Sequence, residues 1–409
     1  MQAGWRRKHM KAVGIVCEYN PFHLGHFHHL NKVHKYSGEE AVIICALSGD
    51  FVQRGEPSVF SKFARAEAAL RCGADIVVEL PSVWALQSAE GYAASALAIL
   101  SALEISSLSF GVETSDFSGL KEIAELLSSE IFEEALSAAV KDENGRSYPS
   151  VREEVLRRFL GNKAEFLKQP NNILAIEYLK ASIKNSYGFR FLPVQRTGAV
   201  HDGVSSGPIR SASEIRSMIL NGEDVSAYVP QESYRIIRRE ILNGRGPVAQ
   251  KTIEQALLSR LRVMKAADFL KVKDCDEELS QRIESAVAGN YALADIFASV
   301  KTRKYTLSRI RRVCLCAALG ISEEMQRKTP PYIRILAADS SGRAFLKQLK
   351  KSGSRIPLAA KAADILKTGD AGREAILTDS AIHDIYVLGY TSPEEMICGM
   401  DFRHSPVML

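Results

Sequence analysis

Two histidines three residues apart, His23 and His26, stand where a short apolar run gives way to a helical one, in EYNPFHLGHFHHL, Glu18 to Leu30. Three apart on a helix puts both imidazoles on one face. Pro21 cannot sit inside a central strand, so the run Val13-Gly14-Ile15-Val16-Cys17 must stop near Tyr19. Gly25 then permits close backbone approach as the helix opens. A strand end, a tight turn and a helix N-terminus make an anion site, because free amides and the helix dipole face the ligand. Two imidazoles there could donate hydrogen bonds to a phosphate whose charge builds during displacement. Five histidines between Pro21 and His34 also admit a metal site, although no Cys or carboxylate cluster accompanies them, or a solvated helix without function.

Other residues invite chemistry with a bland alternative beside each. Asp50 and Arg54 follow the second apolar run. There Arg54 or Lys62 could hold a small carboxylate and Asp50 could orient an attacking amine, or the charges could simply pair and cap a loop. Asn171 is a natural N-cap, whereas Asn172, one step inside the helix, gains little there and reads as a ligand. Ser211-Ala212-Ser213-Glu214 has the spacing of a capping box, which competes with phosphate for the same amides. The preceding HDGVSSGP, His201 to Pro208, suits a mobile lid or a passive surface loop. The run KTRKYTLSRIRR puts Lys301, Arg303, Lys304, Arg309, Arg311 and Arg312 within twelve residues. Arg334, Arg343, Lys347, Lys350, Lys351 and Arg355 follow with few acids. Phosphate backbones reward such clustering, whereas a lone charge run is usually a solvated face.

The elements that position these groups fall into two textures. From Lys11 to about Val194, strand-like runs (Ala12–Cys17, Ala41–Leu47, Asp75–Glu79, Ser106–Phe110, Phe189–Val194) alternate with helical spacing at Gly25–Lys35, Ser61–Cys72, Gln87–Leu103 and Leu120–Ala138. That order predicts a parallel sheet covered on both faces, with ligands at the carboxyl ends of its strands. Beyond Ser211 helices dominate, over Ser211–Leu220, Gln231–Leu242, Val248–Leu270, Glu277–Ala286, Tyr291–Ser299 and Tyr305–Leu319. Gly244–Pro247 is the expected boundary, giving a catalytic domain over 10–245 and a mainly helical region over 246–409. Residues 1–9 read as an upstream start or a disordered arm, and the last fifty are weakly patterned.

Composition bounds the rest. The 409 residues are 46% hydrophobic and 25% charged, an ordinary folded balance. The longest charge-free apolar window, Gly91–Leu103, is too short for a bilayer span of ~20 residues. Seven cysteines without a CxxC pair and no signal peptide point to reduced thiols in a cytoplasm. Residues 101–150 carry 3 basic and 10 acidic side chains, residues 301–350 carry 12 and 3, an asymmetry that points to a polyanionic partner.

The order strand, Asn-Pro, His-x-Gly-His, helix resembles the HxGH nucleotidylyltransferase superfamily. SGDFVQRGEPSVFSKFARAEAAL (48–70), GADIVVELP (73–81), SFGVET (109–114), QPNNILAIEYLKA (169–181), VQRTGAVHD (194–202) and SASEIRSMI (211–219) together resemble the bacterial tRNA(Met) cytidine acetate ligases over roughly 10–220. The resemblance implies an α/β fold: a Rossmann-like parallel-sheet nucleotidylyltransferase domain, then a mainly α-helical C-terminal tRNA-binding region. It implies activation of acetate with ATP, Mg2+ accompanying the nucleotide, and acetyl transfer to N4 of the wobble cytidine of elongator tRNA(Met). No membrane and no stable protein partner are inferred. The family's ATP cradle falls on Val16, Cys17, Glu18, Tyr19, Asn20, Pro21, Phe22, His23, Leu24, Gly25, His26, Phe27, His28 and His29. Gly111, Asn172 and Arg196 join it. Ser211 and Arg216 match the superfamily's ISSTxIR signature, from which Ala212 and Glu214 depart. Rival readings are a small-molecule nucleotidylyltransferase, which leaves the basic C-terminal half unexplained, and a nucleotide-sensing RNA-binding protein without turnover.

Overall fold

The computed structural model describes residues 10–38, 40–142, 146–196 and 210–409. The N-terminal arm and the His201–Pro208 loop expected from sequence lie outside these residues. Five continuous apolar strands carry the first half: β1 (Ala12–Cys17), β2 (Val42–Ser48), β5 (Ile76–Leu80), β6 (Ser107–Val112) and β7 (Arg190–Gln195). They pair in parallel in the order β5-β2-β1-β6-β7, with Ala12 opposite Val42 and Val13 opposite Ser107. β3 (Phe51–Val52) and β4 (Glu56–Pro57) form a small antiparallel hairpin just after β2. The β1 side chains split between two cores, Ala12 on one face and Val13 and Ile15 on the other, which is the period-two expectation for a sheet covered twice.

The second half is mainly helical, but it does not stand apart. β8 (Ile333–Ala338) adds to the sheet beside β5, antiparallel to it, and β9 (Leu358–Ala359) and β10 (Val407–Met408) flank β8. One core runs from Ala12 and Val42 through Leu257, Ile296, Val313 and Ile376. The turn at Gly244–Pro247 is therefore a change of texture, not a seam between independent cores. A six-residue apolar strand between basic stretches is indistinguishable from a helix fragment by pattern alone, which is why sequence hides β8. The last fifty residues hold the long helix Asp370–Tyr386, whose Ile376 and Ile382 are buried. Two expected helices are broken: Leu120–Ala138 becomes Phe117–Leu126 and Glu130–Asp142, and Val248–Leu270 becomes several short turns around Glu254–Leu261.

Candidate active site

The helix α1 (Leu24–Ser37) opens at the carboxyl end of β1, and its two histidines cap it. His23 is the N-cap residue. Its Nδ1 accepts from the amide of Gly25 at 3.0 Å, and Nδ1 of His26 accepts from the amide of His23 at 3.4 Å. The rings stack with centroids 3.7 Å apart. A backbone N–H pointing at Nδ1 requires that nitrogen to be unprotonated, so in the neutral ring the hydrogen sits on Nε2. Burial, then the nearby Arg196 and Arg216, pull His23 down to about 3. Burial, then His23 and Arg196, push His26 well below its usual range. Both imidazoles are thus held neutral at physiological pH with the hydrogen on Nε2, and the Pro21 carbonyl lies within hydrogen-bonding reach of the His26 ring.

His29 follows the same logic. Its Nε2 lies 2.8 Å from Ser109 Oγ, whose own hydrogen goes to the carbonyl of Leu192 at 2.8 Å, so His29 donates. Burial, followed by Arg196 and His28, takes it down to about 4. The turn before the helix is pinned from all sides. Asn20 Oδ1 accepts from the amide of Val59 at 2.8 Å, and Arg216 donates to the Asn20 carbonyl at 3.0 Å. Glu18 accepts from the amide of Gln53 at 3.0 Å, and burial raises its carboxyl despite Arg54, Arg216 and Arg65.

Several positioning groups escaped the sequence reading. The amide of Leu24 donates to the Tyr228 carbonyl at 3.0 Å, and Ser233 Oγ donates to the Phe22 carbonyl at 2.8 Å. Arg65 is fully buried and donates to four carbonyls, of Glu18, Ser48, Gly49 and Phe60, which ties the ends of β1 and β2 together. Glu113, directly after β6, accepts from the amides of Asn171 and Asn172 at the start of helix Pro170–Lys184. Asn172 answers with Oδ1, accepting from Glu113 N at 2.9 Å and Thr114 N at 3.4 Å. Glu113 and Arg65 lie within stretches already singled out, SFGVET and residues 48–70, whereas Tyr228 and Ser233 are common residues whose role comes from tertiary contact.

Of the groups expected at the site, the structure gathers the whole run Val16–His29 with Arg196 and Arg216. Arg196 runs beside Gly111 and donates to Asn171 Oδ1 at 3.2 Å. Asn171 is not the cap, since Gln169 holds that place. Asn172 is fully buried and its side chain is spent on protein partners. Ser211 completes the capping box with Glu214, whose carboxyl its hydroxyl and amide take down to about 2.

Two expectations need correction. Lys62 does not present its ammonium to a substrate: it is 0% exposed, 2.6 Å from Glu79, 2.9 Å from Asp379 and 3.0 Å from Asp401. Asp50 is sealed beside it, accepting from the Lys62 amide at 2.8 Å and pairing with His383 Nδ1 at 2.7 Å. Asp379, His383 and Asp401 come from the weakly patterned tail, so no local signal could reveal this knot. Arg54, by contrast, is exposed at the hairpin after β2.

The basic run divides. Arg311 pairs with Glu56, Arg309 with Asp276 at 3.3 Å, and Lys304 with Glu278 at 2.7 Å. Lys301 and Arg303 are exposed and carry no ion pair among the described residues, and Arg312 is half-buried without one. Among the described residues no group of three or more His, Cys, Asp or Glu could hold a metal ion, and no helix is long and apolar enough to cross a membrane.

The family model for HIGH nucleotidyl transferases matches residues 10–398. A tRNA(Met) cytidine acetate ligase of Thermosipho melanesiensis is 34% identical over 96% of this chain and 98% of its own length. One from Caldicellulosiruptor saccharolyticus is 38% identical over 84% and 86%. A crystal structure of Thermotoga maritima TmcAL bound with alpha-thio ATP matches with a TM-score of 0.90 at 32% identity, covering 98% of this chain and all of that one.

Proposed function

Since the chain belongs to the tRNA(Met) cytidine acetate ligases, a family of HIGH nucleotidyl transferases, we propose that it joins acetate to AMP and hands the acetyl group to the wobble cytidine of elongator tRNA(Met). The observation that carries the first step is the pair of neutral imidazoles at the start of α1. Each accepts a backbone amide at Nδ1, which leaves its hydrogen on Nε2 at the helix N-terminus, where a nucleotide's phosphates would meet α1. Neutral donors suit a step in which charge builds on phosphate oxygens, since they need no proton transfer to act.

An acetate oxygen attacks the α-phosphorus and the bond to the β-phosphate breaks, releasing pyrophosphate. Arg196 and Arg216 flank the histidines and draw the polyphosphate into the cradle. In the second step the cytidine N4 attacks the acetyl carbonyl, sheds a proton, and AMP leaves with the bonding electrons. Magnesium would come with ATP and offset triphosphate charge. The cradle itself offers imidazoles, amides and the single carboxyl of Glu18, a donor set that leaves most of a hard cation's ligands to phosphate and water.

Acetate-dependent exchange of labelled pyrophosphate into ATP, without tRNA, tests the first step; nucleoside mass spectrometry of tRNA incubated with labelled acetate tests the second. The products should be AMP and pyrophosphate. Transfer from acetyl-CoA without ATP, or release of ADP, would falsify the assignment. Propionate should be poorly excluded, since one methylene is worth only ~1–3 kcal/mol of discrimination.

A further inference from the structure

The hairpin after β2 is wedged between the nucleotide cradle and the C-terminal half. On one side Gln53 donates its amide to Glu18 at 3.0 Å. On the other, helix Leu307–Leu319 lies so close that a Cβ on Gly55 (φ +78°) would sit 2.9 Å from Arg311 Cβ and 3.0 Å from Arg312 N. The Gln53 side-chain amide donates to the Gln87 carbonyl at 3.0 Å, and Lys273 donates to Gln87 Oε1 at 2.9 Å. Lys273 is therefore linked to Glu18 through two hydrogen-bonded residues, Gln53 and Gln87.

Its company there is unusual. Lys273 is half-buried, and its only hydrogen-bond partner among the described residues is that neutral amide oxygen. Arg312, whose guanidinium feels Asp274, makes no hydrogen bond or ion pair among them. Arg54 on the hairpin is likewise unpaired and exposed. The neighbouring Lys304, Arg309 and Arg311 are all matched with carboxylates. A partly desolvated ammonium whose one partner is a neutral oxygen is costly unless an external anion completes it. An ammonium with three donors has two left here.

We propose that Lys273, with Arg312 and Arg54, forms a phosphodiester-binding cleft that grips the RNA backbone beside the nucleotide entering the cradle. Three cations on three separate elements exceed what one acetate carboxylate can satisfy. Acetate, moreover, must reach the α-phosphate near His23 and His26, whereas Gln53 and Gln87 stand between Lys273 and Glu18. A strand of phosphates matches the spread, and a grip here sets how far a base can project towards the adenylate.

This inference rests on the ligase reading, and the experiment separates the two. In the full-length protein, Lys273→Gln should raise the KM for tRNA roughly tenfold, the scale for losing a charge-assisted contact. The salt slope of tRNA binding should fall by about one. Lys273→Arg should restore most of both. The melting temperature and the KM for acetate in tRNA-free pyrophosphate exchange should match the parent. A raised acetate KM would overturn the cleft in favour of a carboxylate site, and an unchanged tRNA KM and salt slope would overturn it outright. If Lys273→Gln melts early, the Lys273→Met variant decides: lost stability that Met restores, with a normal tRNA KM, makes the residue packing. Absence of exchange and of acetyl transfer in the parent protein would instead overturn the ligase reading.

Discussion

Around Lys62 four carboxylates close in; around Lys273 there is one amide oxygen. Both lysines lie near the hairpin that follows β2, yet one is locked in the interior among carboxylates and the other is half-buried with none paired to it among the described residues. In the sealed knot the charges nearly balance: Lys62, Arg334 and His383 face Asp50, Asp379, Asp401 and Glu79. Burial would strip the Lys62 charge, but Asp379, Asp401, Glu79 and Asp50 outweigh it and hold the ammonium protonated. Burial would lower His383, but its charge and hydrogen-bond pairing with Asp50 outweighs that and holds the imidazole above its usual range. Burial pushes the Glu79 carboxyl up to about 8, with Lys62 and Arg334 opposing and Asp379 and Asp401 adding, so of the four acids Glu79 takes up a proton most readily. The comparison teaches that residue type says little about role; what decides is whether the chain itself supplies the counter-charge.

The knot should break hardest at its ionised members. Asp401 is held below the usual carboxylate range because Lys62, Arg334 and His383 outweigh its burial. Asp401→Asn leaves Lys62 and Arg334 under-compensated and should cost about 3–5 kcal/mol of stability, lowering both half-reactions together. Glu79→Gln removes no charge if Glu79 is already protonated, so its loss in calorimetry should be much smaller. Equal losses in the two variants would mean that Glu79 is ionised and the charge count is wrong.

At the open region the expected damage is to rate. His23→Asn keeps a side-chain acceptor for the Gly25 amide, since asparagine is a good N-cap, but removes the Nε2–H donor. Pyrophosphate exchange should drop ~10²-fold, the scale for losing one preorganised donor, with little change in melting temperature. An active but unstable variant would make His23 a cap and nothing more. The pH profile sharpens this. An unfolded histidine titrates near ~6.5, whereas folded His23 sits at about 3. Between those values the unfolded state holds the extra proton, so stability is intact above pH ~6.5 and drains away as pH falls towards 3. His23→Asn should flatten that acid limb in a melting-temperature series, and the parent's exchange rate should show no imidazole step near pH 6.5.

What the sequence could tell follows the same divide. Local grammar carried β1, whose bounds at Ala12 and Cys17 read directly off the apolar run, and it carried α1, because Pro21 and Gly25 punctuate the turn. It also placed His23 and His26 together. It failed for Asp50 and Lys62, where residues of the right type stood beside the right strand, since their partners Asp379, His383 and Asp401 arrive from over 300 positions away. A similar separation hid β8, which pairs with β5 across about 260 residues. Gly55 is legible only in hindsight: its small size serves the approach of Arg311 and Arg312.

The smallest expected effect lies within the run Lys301–Arg312, where paired and unpaired cations alternate. Lys301 and Arg303 are exposed and unmatched among the described residues, so an RNA backbone would displace their condensed solvent ions alone. Replacing both with Gln should weaken tRNA binding several-fold and lower the slope of log affinity against log salt by about two, because each neutralised phosphate contributes about 0.9. Lys304 and Glu278, 2.7 Å apart, offer the matched control. Removing both as Lys304→Gln/Glu278→Gln leaves the net charge unchanged and releases one cation, Arg282, and one anion, Asp276, so the salt slope should stay where it was. Filter binding over a series of salt concentrations reads both variants. Should the two double variants shift the slope alike, self-pairing does not decide which cations meet RNA, and the contrast drawn between Lys62 and Lys273 would not extend to the protein's surface.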